Sequence, residues 1–569
     1  MAVLHRLSIK NFRGIKDFDQ VFGAGLTCII GRGDSGKSTI LDAINYTFSS
    51  SWGIHFNDSD FYNCDMNNPI VIEGTVTGVP EKLLSQYATH VRGIFPNGDI
   101  CDDMESPEAA ELVSALTIRL TVTKDLEPSW DVVSNRGQEP MPIRSSRRAL
   151  LNVYSVADFN DRHFSLNKGN PLYALYKQIT NENVCDGENK VLDVLRDAKR
   201  EFDVSISDKF KEVIDKLKTT ATEIGISLNE ITASLDHRDI AISENKVSIH
   251  EEGVPFRLKG KGSKRLLSLA IQMSLTQSSG IILIDEIEQG LEPDRVQHLV
   301  NVLSRDKEKQ IILTTHSSNV IVEIPCDRLF IMRKGYCNLI HVGPDLQNLV
   351  REQPEAFFAR KLVVCEGATE VGICRALNYY MQRINKISAS CLGVRFVDGK
   401  GKKMLQYIKG FRELGYDAAL FCDSDDGDVN AKKRQLLADG VNIIDCEEGN
   451  SIEMQIYNDV PSSLAKKLLE YYYSLKINPA TSRCVVDRNT FTEVNKQLDN
   501  RMVYDVDWYD TDDKSVYAAI GIAAKSGSWY KRQDYACNLG EIILSEFDNI
   551  SNDCCLKAEF TRLLKWIES

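Results

Sequence analysis

The stretch Leu26–Thr39, which reads Leu-Thr-Cys-Ile-Ile-Gly-Arg-Gly-Asp-Ser-Gly-Lys-Ser-Thr, decides the fold of this chain. Leu26–Ile30 is a short apolar run rich in β-branched residues, which predicts a buried strand. Residues 31–38 match the pattern G-x-x-x-x-G-K-S, and the next residues up to Phe48 are apolar at helical spacing. A strand, a glycine-rich loop and a helix in this order predict a phosphate-binding loop.

Each residue type in this loop suits the chemistry of a bound triphosphate. The glycines let backbone N–H groups turn towards the phosphates, and the helix N-terminus adds its positive dipole end. Lys37 is expected to reach the terminal phosphates, and the Ser38 hydroxyl is expected to ligate Mg²⁺. An ordinary glycine turn before a helix is disfavoured, because further nucleotide motifs follow downstream. The predicted ATP-binding residues here are Gly31, Arg32, Gly33, Asp34, Ser35, Gly36, Lys37, Ser38 and Thr39.

The composition is that of a soluble protein of two or three domains. A chain of 569 residues exceeds one comfortable hydrophobic core. Its net charge of −13 argues against a broadly basic surface but is compatible with a local groove for nucleic acid. The fifteen cysteines include no C-x-x-C pair, no apolar run is long enough to span a bilayer, and the first residues alternate like a strand. These features predict a cytoplasmic protein with free thiols.

The second half of a nucleotide site returns after residue 257. A Gly-Ser turn at Gly262 and Ser263 precedes a predicted helix, where helix N–H groups suit a γ-phosphate. The apolar strand Ile281–Ile284 ends in Asp285 and Glu286. We expect Asp285 to hold Mg²⁺ through water, and Glu286 to orient or deprotonate the attacking water. The next buried strand, Gln310–Thr315, ends in His316. This position resembles that of the switch histidine of ABC-type ATPases, which implies a contact with the γ-phosphate.

In this order the motifs resemble those of ABC-type ATPases, and residues 290–293 (Gly-Leu-Glu-Pro) resemble the D-loop. The opening strand followed by Asn11–Ile15 resembles the start of RecF/SMC-type ATPases. The resemblance implies that ATP is hydrolysed between two sandwiched heads, and so a homodimer or higher oligomer through the ATPase half. Two interpretations of Arg13 stay open: contact with the nucleotide, or a solvated turn residue.

Two amphipathic helices are predicted at Glu188–Phe202 and Ser207–Ile224. They form an insertion between the two halves of the ATPase. The stripe of the second helix either packs on its own domain or serves as a dimerisation arm, and periodicity does not decide between them. Its members are Phe210, Val213, Ile214, Leu217, Ala221 and Ile224.

A second chemical centre is predicted after a boundary near residue 350. The strand Lys361–Cys365 precedes Glu366 and Glu370, and the strand Ala418–Cys422 precedes Asp423 and Asp425. Strands that alternate with helices predict a parallel sheet, which carries its sites at the carboxyl ends of strands. Four carboxylates at one edge repel one another unless divalent cations neutralise them. We therefore predict two Mg²⁺ or Mn²⁺ ions for phosphodiester chemistry, with Glu453 as a further ligand.

The Glu-Gly-Ala-Thr-Glu and Asp-Ser-Asp elements resemble the Toprim domain, and an ABC-type ATPase followed by Toprim resembles the OLD (overcoming lysogenisation defect) nucleases. The resemblance implies a metal-dependent DNA endonuclease governed by ATP. It also implies a late lysine that neutralises the scissile phosphate, for which we favour Lys531 over Lys525. Many relatives act in antiphage defence, which suggests a partner such as a helicase or a retron reverse transcriptase with its RNA–DNA hybrid.

The predicted fold class is α/β, with an ABC/RecF-like ATPase and a C-terminal Toprim domain. Two other functions stay open: a Toprim topoisomerase or primase-like enzyme, and a non-nucleolytic ATPase switch that recruits partners. The predicted domains are residues 1–157 and 241–350 for the two ATPase halves, 158–240 for the helical insertion, and 358–569 for Toprim.

Overall fold

The structure is a computed structural model, and it describes residues 2–50, 53–103, 112–156, 161–165, 170–180, 210–235, 247–276, 280–306, 309–477 and 481–569. The chain divides into two compact units, Met1–Gln347 and Asn348–Ser569. The predicted helix Glu188–Phe202 lies outside the described residues. None of the helices in the described ranges is long and apolar enough to cross a membrane.

Among its described residues the first unit has the strands β1 Val3–Phe12, β2 Ile15–Val21, β3 Leu26–Ile30, β4 Ile70–Thr77, β5 Arg92–Ile94, β6 Ile100–Cys101, β7 Val113–Val122, β8 Pro128–Val133, β9 Met141–Pro142, β10 Val153–Val156, β11 Ile231–Leu235, β12 Val247–Glu251, β13 Val254–Pro255, β14 Ile281–Ile284, β15 Gln310–Thr314, β16 Leu329–Ile331 and β17 Ile340–His341. These strands form three sheets. An antiparallel sheet has the order β2-β1-β4-β7-β5-β6, with β8 on β7 and β9 on β8; a second sheet has the order β10-β14-β15-β3-β16-β17; a third has the order β11-β12-β13.

Helices connect these strands and cover them. They are α1 Lys37–Phe48, α2 Glu81–Gln86, α3 Ser145–Arg148, α4 Pro171–Thr180, α5 (described at residues 210–223), α6 Lys261–Leu275, α7 Pro293–Arg305 and α8 Ser318–Glu323. Five neighbouring strands, from β10 to β16, run parallel, and β3 lies inside this sheet between β15 and β16. All five residues of β3 are buried, as its apolar run predicts.

The helix after the phosphate-binding loop, α1, packs between the antiparallel and the parallel sheet. Its buried Ile40, Ile44 and Phe48 belong to one core with residues of both sheets. Gly74 in β4 makes room for the Phe48 ring, because a Cβ atom there would lie 2.4 Å from Phe48 Cζ. Gln310 joins the two sheets, since its fully buried amide bonds to the Leu4 backbone N–H at 2.7 Å and to the Leu4 carbonyl at 2.8 Å.

The apolar stripe of α5 packs inside the ATPase unit. All six predicted stripe residues are buried. Phe210 stacks on Tyr176 of α4 with centroids 4.9 Å apart, and Thr220 lies 3.1 Å from Ser274 of α6. This burial favours packing on the helix's own domain; a dimerisation role for the insertion stays a prediction.

The second unit is built on a four-stranded parallel sheet of order β19-β18-β20-β21. Its strands are β18 Lys361–Cys365, β19 Val394–Asp398, β20 Asp417–Cys422 and β21 Asn442–Asp445. Its helices are α9 Gln347–Glu352 (which begins at the unit boundary), α10 Ala368–Arg383, α11 Met404–Glu413, α12 Gly427–Ala438, α13 Ile452–Asp459, α14 Ser462–Lys476, α15 Arg483–Gln497, α16 Lys514–Ser526, α17 Gln533–Ser545 and α18 Cys555–Glu568.

Small residues hold α10 close to α17. A Cβ atom on Gly372 would lie 2.5 Å from the Cβ atom of Ala536, and one on Gly540 would lie 2.6 Å from that of Ala376. Larger side chains at these glycines would force the two helices apart. This close packing fixes α10, which carries Glu370 in its first turn.

Candidate functional site

The nucleotide site is built on the loop between β3 and α1. Gly31 and Gly36 have positive φ angles of 152° and 99°, and a Cβ atom on Gly31 would lie 2.4 Å from the Met332 carbonyl oxygen. Only glycine fits these positions without strain. Gly33 has no such constraint, since a Cβ atom there would have no neighbour within 4 Å. The Ser35 hydroxyl is buried and has no hydrogen-bond partner among the described residues, as suits an atom that awaits a ligand.

Lys37 is folded back onto its own loop. Its Nζ atom donates to the carbonyl oxygens of Gly31 and Arg32, at 2.9 Å each. Burial lowers the pKa of Lys37 to about 8, although Asp285 and Glu286 act in the opposite direction. The Lys37 ammonium can exchange these two hydrogen bonds to loop carbonyls for contacts with phosphate oxygens when a nucleotide binds.

The carboxylates after β14 are held by the neighbouring strand β15. The Thr314 hydroxyl donates to Asp285 Oδ1, and the Glu286 backbone N–H donates to the Thr314 hydroxyl at 2.9 Å. Glu286 has a φ of 45°, a positive angle that turns the chain sharply there. The buried Arg265 of α6 donates to the carbonyl oxygens of Asp285 and Glu286. The sequence did not predict that Thr314 and Arg265 hold Asp285 and Glu286 in place.

Glu288 fixes the segment that contains His316. Its carboxylate accepts hydrogen bonds from the Thr315 hydroxyl at 2.7 Å and from the His316 backbone N–H at 2.6 Å. Burial lowers the pKa of His316, and the nearby Lys37 ammonium lowers it further. His316 therefore lies within electrostatic reach of the phosphate-binding loop and of Asp285 and Glu286, as the motif order predicts.

The Gly-Ser turn before α6 forms the first turn of that helix, which begins at Lys261 after Gly260. A Cβ atom on Gly262 would lie 2.7 Å from the Gly290 carbonyl oxygen, so this turn touches the D-loop-like segment. Ser263 lies in the same first turn. Its helix N–H groups suit a phosphate oxygen.

Arg13 is engaged by carboxylates of its own unit. Its Nε atom lies 2.8 Å from Asp60 Oδ1, and a second nitrogen pairs with Asp42. Burial opposes the charged form, but the hydrogen bonds to Asp60 and Asp42 outweigh it and raise the pKa of Arg13. Of the two interpretations, the structure supports neither directly, because Arg13 is a paired residue that fixes the turn.

In the second unit, the predicted carboxylates meet at the carboxyl edge of the sheet. Glu366 follows β18, and its Oε2 atom accepts a hydrogen bond from the Asp423 backbone N–H at 3.0 Å. Asp423 follows β20, and its Oδ1 atom accepts from the Ile452 backbone N–H at 2.8 Å. Glu370 accepts from the Gly367 backbone N–H at 2.8 Å, and Glu453 from the Ser451 hydroxyl at 3.0 Å.

Burial and mutual repulsion perturb this cluster strongly. Burial raises the pKa of Glu370 well above its usual range, and Asp423, Glu453 and Glu366 raise it further. Burial also raises the pKa of Asp423 to about 8, with Glu453 and Glu366 adding to the shift. Glu366 has a raised pKa for the same first reason. Carboxylates that are held so close and so deep favour a cation among them.

The donor set fits hard divalent cations, although the side chains are turned to local partners. Within the described ranges, no three His, Cys, Asp or Glu side chains already stand in the arrangement of a metal site. Each carboxylate instead accepts a nearby N–H or O–H group or pairs with an ammonium group. Asp425 pairs with Lys525, whose Nζ atom lies 2.6 Å from Oδ2. Five carboxylates supply the hard oxygen ligands that Mg²⁺ or Mn²⁺ prefers.

The structure distinguishes the two candidate lysines. Lys525, in the last turn of α16, contacts Asp425 and so lies at the cluster. Lys531 is exposed and forms no ion pair with a described carboxylate. The geometry therefore favours Lys525, whereas Lys531 was favoured from the sequence. Sequence spacing could not decide this, because both lysines flank the same turn.

Lys433 was not predicted from the sequence. Its ammonium is buried beneath the Asp423–Asp425 segment, where it donates to the Asp423 carbonyl oxygen and, at 3.1 Å, to the Ser424 hydroxyl. Asp445 Oδ2 lies 3.7 Å from the same nitrogen. One signal was available: Lys433 lies in the second turn of the helix that follows the acidic loop.

Comparisons with known proteins agree with this two-part architecture. Residues 3–132 match the family described as "AAA ATPase domain", and residues 151–323 match "AAA domain, putative AbiEii toxin, Type IV TA system". Residues 357–425 match "Overcoming lysogenization defect protein-like, TOPRIM domain". The chain is therefore an ATPase with an OLD-like Toprim domain. The predicted α/β fold class is confirmed.

Curated relatives match short segments only. ABC transporter A family member 12 of Arabidopsis thaliana is 37% identical over 105 residues, which is 18% of this chain and 11% of the relative. Methionine import ATP-binding protein MetN 4 of Oceanobacillus iheyensis is 29% identical over 109 residues, or 18% of this chain and 30% of the relative. The chain thus spans less than a third of either relative.

Solved structures are similar over about three fifths of this chain. An Smc head domain from Pyrococcus furiosus, bound to the C-terminal domain of ScpA, has a TM-score of 0.37 and 14% identity and covers 62% of this chain and 100% of that one. RecF with a bound ATP analogue has a TM-score of 0.34 and 15% identity and covers 60% of this chain and 98% of that one. These low scores add nothing about function.

Proposed function

We propose that this chain is an ATP-dependent, divalent-metal-dependent endonuclease that cuts DNA. The observation that carries the proposal is the meeting of five carboxylates with Lys525 at the carboxyl edge of the Toprim sheet. Glu366 and Glu453 raise the pKa of both Glu370 and Asp423, and Asp425 lies beside them in contact with Lys525. A purely structural cluster has no need for so much buried negative charge.

The candidate metal ligands are Glu366, Glu370, Asp423, Asp425 and Glu453. When bound there, two Mg²⁺ or Mn²⁺ ions would activate a water molecule and stabilise the leaving oxygen of a phosphodiester. The residues themselves supply the oxygen ligands, from the turn after β18, the first turn of α10, the loop after β20, and α13. The backbone N–H groups of Asp423 and Ile452 hold two of these carboxylates at fixed orientations.

Lys525 is the candidate for charge neutralisation at the scissile phosphate. In the structure its ammonium is paired with Asp425. If Asp425 ligated a cation, Lys525 would lose this partner and its ammonium could reach a phosphate oxygen at the same edge. A lysine ammonium on a flexible stem, 39% exposed, suits that role.

ATP hydrolysis is the proposed control. Lys37 would leave the loop carbonyls for the terminal phosphates, Ser38 and Asp285 would hold Mg²⁺, and Glu286 would orient the attacking water. The first turn of α6, with Gly262 and Ser263, would complete the site of a second head. This arrangement requires at least a homodimer. Nucleotide state in the dimer then governs the access of DNA to the Toprim carboxylates.

A role in defence against phage is part of the proposal, and its support is the match to the OLD-like Toprim family. The proposed partner is a helicase or a retron reverse transcriptase with its RNA–DNA hybrid. Expression of the gene with its genomic neighbours should lower phage plating, and Asp423→Ala/Asp425→Ala should restore it. Unchanged plating by the wild type would remove the defence role without touching the nuclease.

The nuclease is tested with supercoiled plasmid, Mg²⁺ or Mn²⁺, and ATP present or absent. Wild type should nick or linearise the plasmid only with metal, and Asp423→Ala/Asp425→Ala should not. Lys525→Ala should lose most of the activity, while Lys531→Ala should retain it. Plasmid relaxation without breaks would instead support a topoisomerase. Metal-independent cleavage, or full cleavage by the double variant, would refute the proposal.

A further inference from the structure

The segment after β19 contains three lysines in four residues that the proposed function does not use. We call residues 400–403, Lys-Gly-Lys-Lys, the lysine loop. Because β19 lies next to β18 in a parallel sheet, the lysine loop emerges at the same edge as Glu366.

Backbone hydrogen bonds hold the lysine loop against the carboxylate cluster. The Gly401 N–H donates to the Glu366 carbonyl oxygen at 2.8 Å, and the Gly399 N–H donates to the Cys365 carbonyl oxygen at 2.7 Å. Lys400 and Gly401 have positive φ angles of 52° and 68°, which turn the chain sharply at the sheet edge. The loop is thus fixed directly beside a proposed metal ligand.

The lysine side chains stay close to solvent and pair with carboxylates of the site's border. Lys402 Nζ lies 2.7 Å from Asp426 Oδ2, and its side chain is 71% exposed. Lys400 Nζ lies 3.2 Å from Asp398 Oδ2. Exposed ion pairs of this kind are weak, so a phosphate group can readily replace the carboxylate.

Basic groups therefore stand on two sides of the carboxylates, with the lysine loop on the β19 side and Lys525 at Asp425. A chain with a net charge of −13 repels DNA unless local positive charge guides the backbone to the site. We propose that the lysine loop binds the phosphodiester backbone of the substrate DNA next to the scissile phosphate. This inference rests on the proposed function, since it names the part of that site which holds the DNA.

The test compares the removal of two positive charges from the lysine loop with the removal of two positive charges elsewhere in the same unit. The variant is Lys402→Ala/Lys403→Ala, and the matched control is Lys409→Ala/Lys432→Ala, which removes two exposed lysines from α11 and α12. Both are placed in the full chain with Asp423→Ala/Asp425→Ala, so that no DNA is cut. A charge-preserving pair, Lys402→Arg/Lys403→Arg, separates loss of charge from a disturbed fold.

Binding of a fluorescein-labelled DNA duplex is measured by anisotropy at several salt concentrations. Each lost phosphate contact lowers the slope of log affinity against log salt by about 0.9. Two lost contacts predict a slope whose magnitude is smaller by about 1.8. Between 50 and 200 mM salt, the affinity of the protein with an intact lysine loop should therefore fall about 12-fold more than that of the lysine-loop variant. The control and the arginine pair should keep the original slope.

Every outcome separates this inference from the nuclease proposal. An unchanged slope in the lysine-loop variant, an equal loss in the control, or no DNA binding at all would overturn the inference even if wild type cuts plasmid. An effect seen with duplex RNA and not with DNA would also overturn it. A specific slope change without any plasmid cleavage by wild type would support DNA binding and reject the nuclease.

Discussion

Replacing the buried Lys433 by methionine should weaken metal binding at the Toprim carboxylates. Methionine keeps most of the volume of the lysine stem, so little cavity forms. The substitution removes the ammonium group that donates to the Asp423 carbonyl oxygen and the Ser424 hydroxyl. The Asp445 carboxylate, which is 35% exposed, can be hydrated instead. The main loss is therefore the support of the Asp423–Asp425 segment.

The structure allows a magnitude for both stability and function. One buried carbonyl oxygen left without a donor costs about 1–3 kcal/mol, and this is the expected loss in unfolding free energy. Residues that orient metal ligands from behind typically change metal affinity by about 10–100-fold. The Mg²⁺ concentration for half-maximal DNA cleavage should therefore rise by at least about tenfold in Lys433→Met.

The assay is a Mg²⁺ titration of plasmid cleavage, accompanied by urea unfolding. Lys432→Met is the control, because Lys432 is exposed on the same helix. A folded Lys433→Met protein with the wild-type Mg²⁺ dependence would refute the reasoning. So would an equal shift in the control.

Three further results are expected. Lys37→Ala should abolish ATP turnover, measured by phosphate release, while Mn²⁺ binding at the Toprim cluster is retained; turnover at the wild-type rate would show that the nucleotide assignment is wrong. Asp487→Ala should lower the unfolding free energy in urea melts by about 2–5 kcal/mol. The reason is that this carboxylate accepts hydrogen bonds from the Trp508 indole N–H, at 3.0 Å, and from two tyrosine hydroxyls. A loss under about 1 kcal/mol would contradict this. Burial raises the pKa of Tyr472 and of Tyr509 to about 12, so the folded state holds protons that the unfolded state releases near pH 10. Stability should therefore be complete below pH 10 and fall towards pH 12, and a melting temperature that does not change over this range would exclude this contribution.

The sequence predicts the sheet that carries the candidate site well, because its signals are local. The two central strands of the Toprim sheet, β18 and β20, each contain a continuous apolar run, and Glu366 and Asp423 follow them directly. Parallel pairing then brings these residues to one edge without further information. The same reasoning predicts the phosphate-binding loop, Asp285 and His316.

Contacts between distant parts of the chain could not be predicted in this way. Lys525 reaches Asp425 only because α16 packs on α13, and no spacing in the sequence reveals that packing. Lys433 and Arg265 are charged residues on helices that the pattern assigns to solvent or to a generic basic loop. Their burial is possible because backbone carbonyl oxygens of the two sites accept hydrogen bonds from them.

The amphipathic stripe of α5 shows a different limit. Periodicity identifies an apolar face but not the surface that covers it. In the structure Phe210 of this face stacks on Tyr176 of α4, and elsewhere on the helix the Glu223 carbonyl oxygen lies 3.0 Å from the His298 ring of α7. These contacts depend on the tertiary arrangement of the helices.

The central claim is that the carboxylate cluster is a metal centre. The most direct test is anomalous diffraction from crystals of the full chain soaked in Mn²⁺. We predict two peaks bounded by Glu366, Glu370, Asp423, Asp425 and Glu453, with Lys525 released from Asp425, and no peaks there in Asp423→Ala/Asp425→Ala. Wild-type crystals with no Mn²⁺ at this edge, and with the Lys525–Asp425 pair intact, would contradict the account.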